Sequence, residues 1–393
     1  MHRLTLVYFA TACAGMAPAA AAQSFYAVTT PPVVPGVVHR HMLSHQGPWS
    51  VNIVEIDLRR PDLSVRTAHA CNTLHGRETV SSIARRMSSD TALVVAAVNG
   101  DFFDLKTGED ENNQVVEGEI WKGLHLTDAP QDSAHHIHTQ FAIDRNGRPR
   151  MDTFTLAANM LREHHPPMPL AGVNYRSGVN TETLYTPRFG SATPTDTAVQ
   201  TVEIRLSPVG VRGDTSSFEV AGRPVAGGGR PLSDAPVLSL RVVDSAGNVP
   251  QPGEIVRIVL ALRPAGTPLR TLIGGWPRLV VHGLSVTDSV DRLEGTFPVF
   301  SSVRHPRTGV GFSRDSATLY LITVDGRQES SSGMSLAEFA SLMLKLGVYE
   351  GLNLDGGGST AMVINGRLVN HPSDAGGERT VGNALLVVQS RHE

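Results

Sequence analysis

The chain has 393 residues, with 34 Lys+Arg against 37 Asp+Glu and a formal net charge of −3. That length suits one large domain or two ordinary ones, and the balanced charge disfavours nucleic acid as a partner. Plentiful glycine (38) and proline (25) with only 5% aromatics suit a turn-rich, sheet-rich protein. Residues 1–22 read as a secretory signal. His2 and Arg3 lead, Leu4 to Ala14 is mostly apolar, and Ala20-Ala21-Ala22 offers a small-residue cleavage site. The apolar run is too short to span a bilayer and no later stretch is long enough, so an exported mature chain without stable membrane insertion is expected, periplasmic or secreted. Cys13 leaves with the signal and Cys71 remains alone, which excludes an internal disulfide. Residues 23–48 carry Pro31, Pro32, Pro35 and Gly36 without a clear period and read as an N-terminal arm; residues 49–393 read as one domain.

Within that domain, Val51 to Leu58 alternates as a half-buried strand does. Thr79 caps a short helix running to Met87. Leu93 to Val98 is continuously apolar, fit for a buried central strand, and ends at Asn99-Gly100-Asp101-Phe102-Phe103. Residues 105–140 are polar. Asn146-Gly147 marks a hairpin between Phe141–Ile143 and Pro149–Met151. Further strands are expected at 202–206, 237–243, 255–262 and 279–282.

The last third is the most legible. A strand at Thr318–Val324 ends in Asp325-Gly326-Arg327. Ser335 and Glu338 make a capping box, and Leu336, Phe339, Ala340 and Met343 give the following helix an apolar face that Gly347 closes. Gly351 to Leu354 is a strand feeding Asp355-Gly356-Gly357-Gly358-Ser359-Thr360. A helical crossover makes the two strands parallel, so both aspartates are expected at one edge of one sheet, where open sheets hold ligands. Three glycines let the backbone approach a ligand and offer N–H groups as an anion nest. Met362 to Ile364 before Asn365-Gly366 is a hairpin strand. A strand after the glycines rules out the dinucleotide fingerprint, which needs a helix there, and no lysine is present for a P-loop. The predicted fold is an α+β single domain, rich in mixed β-sheet, whose strand-helix-strand unit carries the site near the C-terminus.

The ordered set Asn99-Gly100-x-Phe102-Phe103, Ile273-Gly274-Gly275-x-Pro277, Arg307-Thr308-Gly309-Val310-Gly311, Asp325-Gly326-Arg327, Asn353-Leu354-Asp355-Gly356-Gly357-Gly358-Ser359-Thr360 and Glu378-Arg379-x-Val381-x-Asn383 resembles the phosphodiester glycosidase family. The resemblance implies cleavage of a sugar C1–O bond whose leaving group is a phosphate ester. No cofactor and no metal ligand is assigned. It implies a carbohydrate phosphodiester as partner, in exported, envelope or exopolysaccharide glycans. Phosphate leaves readily, so holding its charge matters more than protonating it. Arginine offers a rigid fork for its oxygens, and Arg307, Arg327 and Arg379 are the candidates. Gly356, Gly357 and Gly358 would add backbone donors, with Ser359, Thr360 and Asn383 beside them. The oxocarbenium-like sugar needs a carboxylate; Asp325 and Asp355 are the first pair and Glu378 the third. Asn99 would bind a sugar hydroxyl or orient an acid. Phe102 and Phe103 read as core wall.

Two other classes are weighed. A metal hydrolase would use His135, His136 and His138, of which 136 and 138 could share one face of a strand, although no H-E-x-x-H spacing is present. A non-catalytic carbohydrate-binding or exopolysaccharide-assembly protein would keep the fold without turnover.

Overall fold

The computed structural model describes residues 24–124, 138–175, 182–195, 200–241 and 249–391. The expected signal and two of the three clustered histidines, His135 and His136, lie outside them. Among the described residues, no helix is long and apolar enough to cross a membrane.

Two antiparallel sheets face each other, and each carries a helix on its outer side. In the first, the spatial order is Tyr26–Val28, Val37–Ser44, Trp49–Asp57, Thr318–Val324, Arg307–Phe312, Glu350–Asn353, Arg278–Val281, Leu284–Ser285. The second runs Arg367–Leu368, Met362–Ile364, Ala92–Asn99, Asn383–Ser390, Leu63–His69. Central strands are covered on both faces, which is why they read as continuous apolar runs. Along Trp49–Asp57, Val54 and Ile56 meet Val98, Met362 and Leu385 of the opposite sheet. Val51 and Ile53 point the other way, onto Leu336, Phe339 and Met343 of the helix Leu336–Lys345. The second sheet is covered in the same manner by Val80, Ile83 and Ala84 of the helix Val80–Arg86.

The local chemistry accounts for both helices. Thr79 accepts the Ser82 N–H as N-cap, and both bonds of the Ser335–Glu338 capping box form. Gly347 stops the longer helix at φ +89°. Gly309 lets that helix lie close to its sheet: a Cβ there would stand 2.5 Å from Met343 Cε. Residues between 114 and 273 build a further sheet with its own core around Leu156, Ile204, Leu238 and Val256.

Three expectations change. Val37–Ser44 is a full strand paired with Trp49–Asp57, where the sequence suggested an arm. The sheets are antiparallel, with the short pair Gly172–Val173 and Thr183–Tyr185 an exception, and helix is scarcer than an α+β reading implied. Thr318–Val324 and Glu350–Asn353 do run in the same direction, but they are not neighbours. Arg307–Phe312 lies between them, antiparallel to both. Asp325 and Asp355 still follow strands that end at the same edge.

Candidate active site

Asp355 is anchored where the two sheets come together. Its N–H donates to Gly100 O at 3.0 Å, just past the end of Ala92–Asn99. Asn99 is fully buried and clamps the same point. Its Nδ2 donates to Asp355 O at 2.6 Å, while its Oδ1 accepts from Thr308 Oγ1 at 2.7 Å and Ala361 N at 3.1 Å. Those bonds tie the strand Ala92–Asn99 to Arg307–Phe312 and to both ends of the glycine turn, and engage both ends of the amide. Asn99 therefore positions the acid and has little left for a sugar hydroxyl. The half-buried Asp355 carboxylate accepts the Gly356 N–H at 2.8 Å. Burial pushes its pKa up to about 6, against the hydrogen bonds from Ser359 and Gly356 and the attraction of Arg379; nearby Glu111 adds to the rise.

The triple glycine has a different reason from the predicted nest. Gly357 N donates to Pro306 O, Ser359 N to Gly356 O and Thr360 N to Gly357 O, and Gly356 N is engaged by Asp355. The turn offers a ligand at most the Gly358 N–H. What the glycines do is make room for two guanidinium groups. A Cβ on Gly357, whose φ is +60°, would stand 3.1 Å from Arg327 Nη2, and one on Gly358 would stand 2.0 Å from Arg379 Nη2. Arg327 and Arg379 thus lie along a bare glycine floor beside Asp355. Gly358→Ala should displace Arg379 and cut kcat/KM for a phosphodiester by about tenfold or more, since an ångström of misplacement can cost a hundredfold. The circular dichroism spectrum should stay unchanged; an unaltered kcat/KM would remove Arg379 from the site.

The two cations are held differently. Arg379 makes a fork to Asp374, at 2.7 and 3.0 Å, with Nη1 3.5 Å from Ser359 Oγ. Arg327 is exposed at φ +61°, with Nη2 3.2 Å from His305 Nδ1. Burial, then Arg307 and Arg327, lower the pKa of His305, so the ring is neutral and accepts.

Other predicted residues are engaged in the framework. Arg307 is buried; its Nε donates to Met334 O at 2.9 Å and its Nη2 to Phe300 O at 3.1 Å. Burial and Arg327 bring its pKa down to about 10. Asp325 is buried, with Oδ2 accepting from Ser50 Oγ at 3.0 Å and Oδ1 from His371 N at 3.0 Å and Asn370 Nδ2 at 3.2 Å. Asn370 Nδ2 also reaches Thr360 O, so Asp325 braces the end of the glycine turn. Burial raises its pKa. Glu378 accepts the Ser81 N–H at 2.9 Å in the first turn of the Val80–Arg86 helix. Asn383 Oδ1 accepts the Asp101 N–H at 2.9 Å and its Nδ2 donates to Gln114 Oε1. Ser359 and Thr360 are buried, Ser359 against Asp355.

Sequence reasoning missed several neighbours. Glu111, whose N–H donates to Phe102 O, puts a second negative charge near Asp355. The run Glu109-Asp110-Glu111 was the available signal. Asp101 is buried and accepts from Asn112 and Gln114 side chains; burial and Asp110 hold its carboxyl well above the usual range. Trp276 stacks on Phe300, with ring centres 4.7 Å apart, and meets Phe102 edge-on at 5.9 Å. Phe103 is core, as expected, whereas Phe102 is half-buried beside the site. Of the histidine cluster, His138 is described: its Nδ1 bonds Asn112 Oδ1 at 3.0 Å.

Part of the site falls in a stretch that is similar to known proteins. Residues 240–388 match the family described as Phosphodiester glycosidase, a stretch that holds both aspartates, the glycine turn and the three arginines. The SPbeta prophage-derived uncharacterized protein YomE of Bacillus subtilis (strain 168) is 42% identical over 86 residues, 22% of this chain and 13% of that protein. The N-acetylglucosamine-1-phosphodiester alpha-N-acetylglucosaminidase of Bos taurus is 45% identical over 80 residues, 20% of this chain and 15% of that enzyme. The matches thus span well under a fifth of either relative. A hypothetical protein from Synechocystis has the same fold, with a TM-score of 0.72 at 21% identity, over 92% of this chain and 64% of that one.

Proposed function

We propose that this chain hydrolyses the glycosidic bond of a sugar-1-phosphodiester, a reading supported by the match of residues 240–388 to the Phosphodiester glycosidase family. One observation carries the reading: a carboxylate with a raised pKa lies beside a glycine floor along which two arginines are laid. Arg327 and Arg379 hold the phosphate and stabilise the charge it gains on leaving. Ionised Asp355 faces the anomeric carbon and accepts a proton from the attacking water. The C1–O bond breaks, and its electron pair leaves with the phosphate monoester. Asn99 and Asp325 are positioning residues, and Arg307 shapes the wall behind Arg327. The leader-like residues 1–22 support an exported setting, with envelope glycans as the source of substrate.

The test is hydrolysis of a methyl ester of N-acetylglucosamine-1-phosphate, whose sugar is the one in the bovine relative's name, in ¹⁸O-labelled water. Label in the sugar supports the reading; label in the phosphate makes the chain a phosphodiesterase and overturns it. The pH dependence carries a sign. Asp355 works ionised, so kcat/KM should rise with pH and level off above about 6. A limb that falls through 6 would instead make Asp355 an acid.

A further inference from the structure

From Phe102 beside Gly100, a continuous apolar shelf leads outward through Trp276 and Phe300 to Phe297. Neighbouring ring centres are 5.9, 4.7 and 5.7 Å apart. Phe297 is 56% exposed, and beyond it Val299 is 66% and Val303 41% exposed. Part-way along the shelf, the Phe300 ring centre lies 5.1 Å from Arg307 Cζ, and Arg327 is close enough to Arg307 to lower its pKa. Exposed apolar surface this extensive, running into a candidate site, marks a binding surface.

The polar side chains from Thr296 to Arg304 are turned to other work. Asp291 accepts from Thr296 and Ser301. Ser302 donates to Pro298 O, and Arg304 is paired with Glu338. A sugar or a nucleoside would need free donors and acceptors here, and a base would need a flat open ring face. The rings instead meet one another at mixed angles, with interplanar values of 81°, 25° and 53°. Such a surface suits a flexible hydrocarbon chain. Resting on the proposed hydrolysis, we infer that this shelf receives an apolar aglycone, so that the substrate class is a glycosyl-1-phosphoryl lipid. The sugar lies over Asp355, the phosphate along Arg327 and Arg379, and the alkyl chain on the shelf. The products are a free sugar and an alkyl phosphate.

The experiment compares the methyl and decyl esters of N-acetylglucosamine-1-phosphate, the decyl ester kept below its micelle concentration. Wild-type kcat/KM should favour decyl by about tenfold or more. The double variant Phe297→Ser, Val299→Ser changes exposed residues only, and should bring the ratio towards one. A wild-type ratio near one, or a ratio the variant leaves unchanged, overturns the inference. Turnover of the methyl ester separately tests the hydrolysis itself. Should neither ester turn over, tryptophan fluorescence titration with decyl phosphate against methyl phosphate still decides the shelf. Decyl phosphate binding that the variant loses upholds it. No preference for decyl phosphate overturns it, as does adsorption to phosphatidylcholine vesicles without such a preference, which makes the surface a membrane contact.

Discussion

Asp355→Asn is expected to lose about 10³-fold in kcat, the scale of a positioned proton acceptor, and to make the fold more stable at neutral pH. The two effects have one origin. Burial holds the Asp355 carboxyl up to about 6, so between its ordinary value near 4 and 6 the folded chain keeps a proton that the unfolded chain has released. Stability from this group is therefore fully present below about 4 and is lost as pH rises through 6. At pH 7 the folded protein carries a half-buried negative charge there at a cost of about 1–2 kcal/mol. Asparagine keeps an acceptor for the Gly356 N–H and carries no charge. Thermal unfolding should show the variant melting higher at pH 7 and level with wild type at pH 4. A variant that is less stable at pH 7 would mean that Asp355 is a structural ion-pair partner, and the site would lose its central acid.

Asp325→Asn is the comparator. Its Oδ1 would still accept from His371 N, and its new amide could donate to the Ser50 hydroxyl, which can turn to accept. As a positioning residue it should keep turnover within about tenfold of wild type, with stability little changed. A loss as large as that of Asp355→Asn would restore Asp325 to the chemistry as the second carboxylate.

The contrast between the two aspartates marks how far the sequence could be read. Both stand in Asp-Gly pairs at the ends of apolar strands, and both were legible as edge residues. Their different surroundings were not. Asp325 is occupied by Ser50, 275 residues away in the chain, and Glu378 by the helix start at Ser81, 297 residues away. No local pattern encodes such pairings. The glycine turn was legible as a place of close approach, yet its partner was taken to be a ligand when it is two arginine side chains. Strands buried on both faces were clear because nothing interrupts their apolar runs. Val37–Ser44 was not, because His39, Arg40 and His41 break its apolar pattern and prolines crowd the residues before it.

Arg327→Gly should separate phosphate recognition from folding. Arg327 holds a left-handed backbone, φ +61°, which a side chain bears at a cost of about 1 kcal/mol or more and glycine does not. Its guanidinium is exposed and bonded only to neutral His305 among the described residues. On stability alone the substitution is neutral or favourable by about 1 kcal/mol. On activity it removes a charge-assisted fork from the departing phosphate, so kcat/KM for a phosphodiester should fall by about 10²–10³. A neutral aryl glycoside of the same sugar, with no phosphate to hold, should lose far less. The ring of His305 supplies an independent readout, because Arg327 is one of the charges that lower its pKa. In the variant its NMR titration should move upward. A kcat/KM unchanged for the phosphodiester, with His305 shifted as expected, would show that the arginine is in place and does not bind phosphate. The leaving group would then have to be held by Arg379 alone.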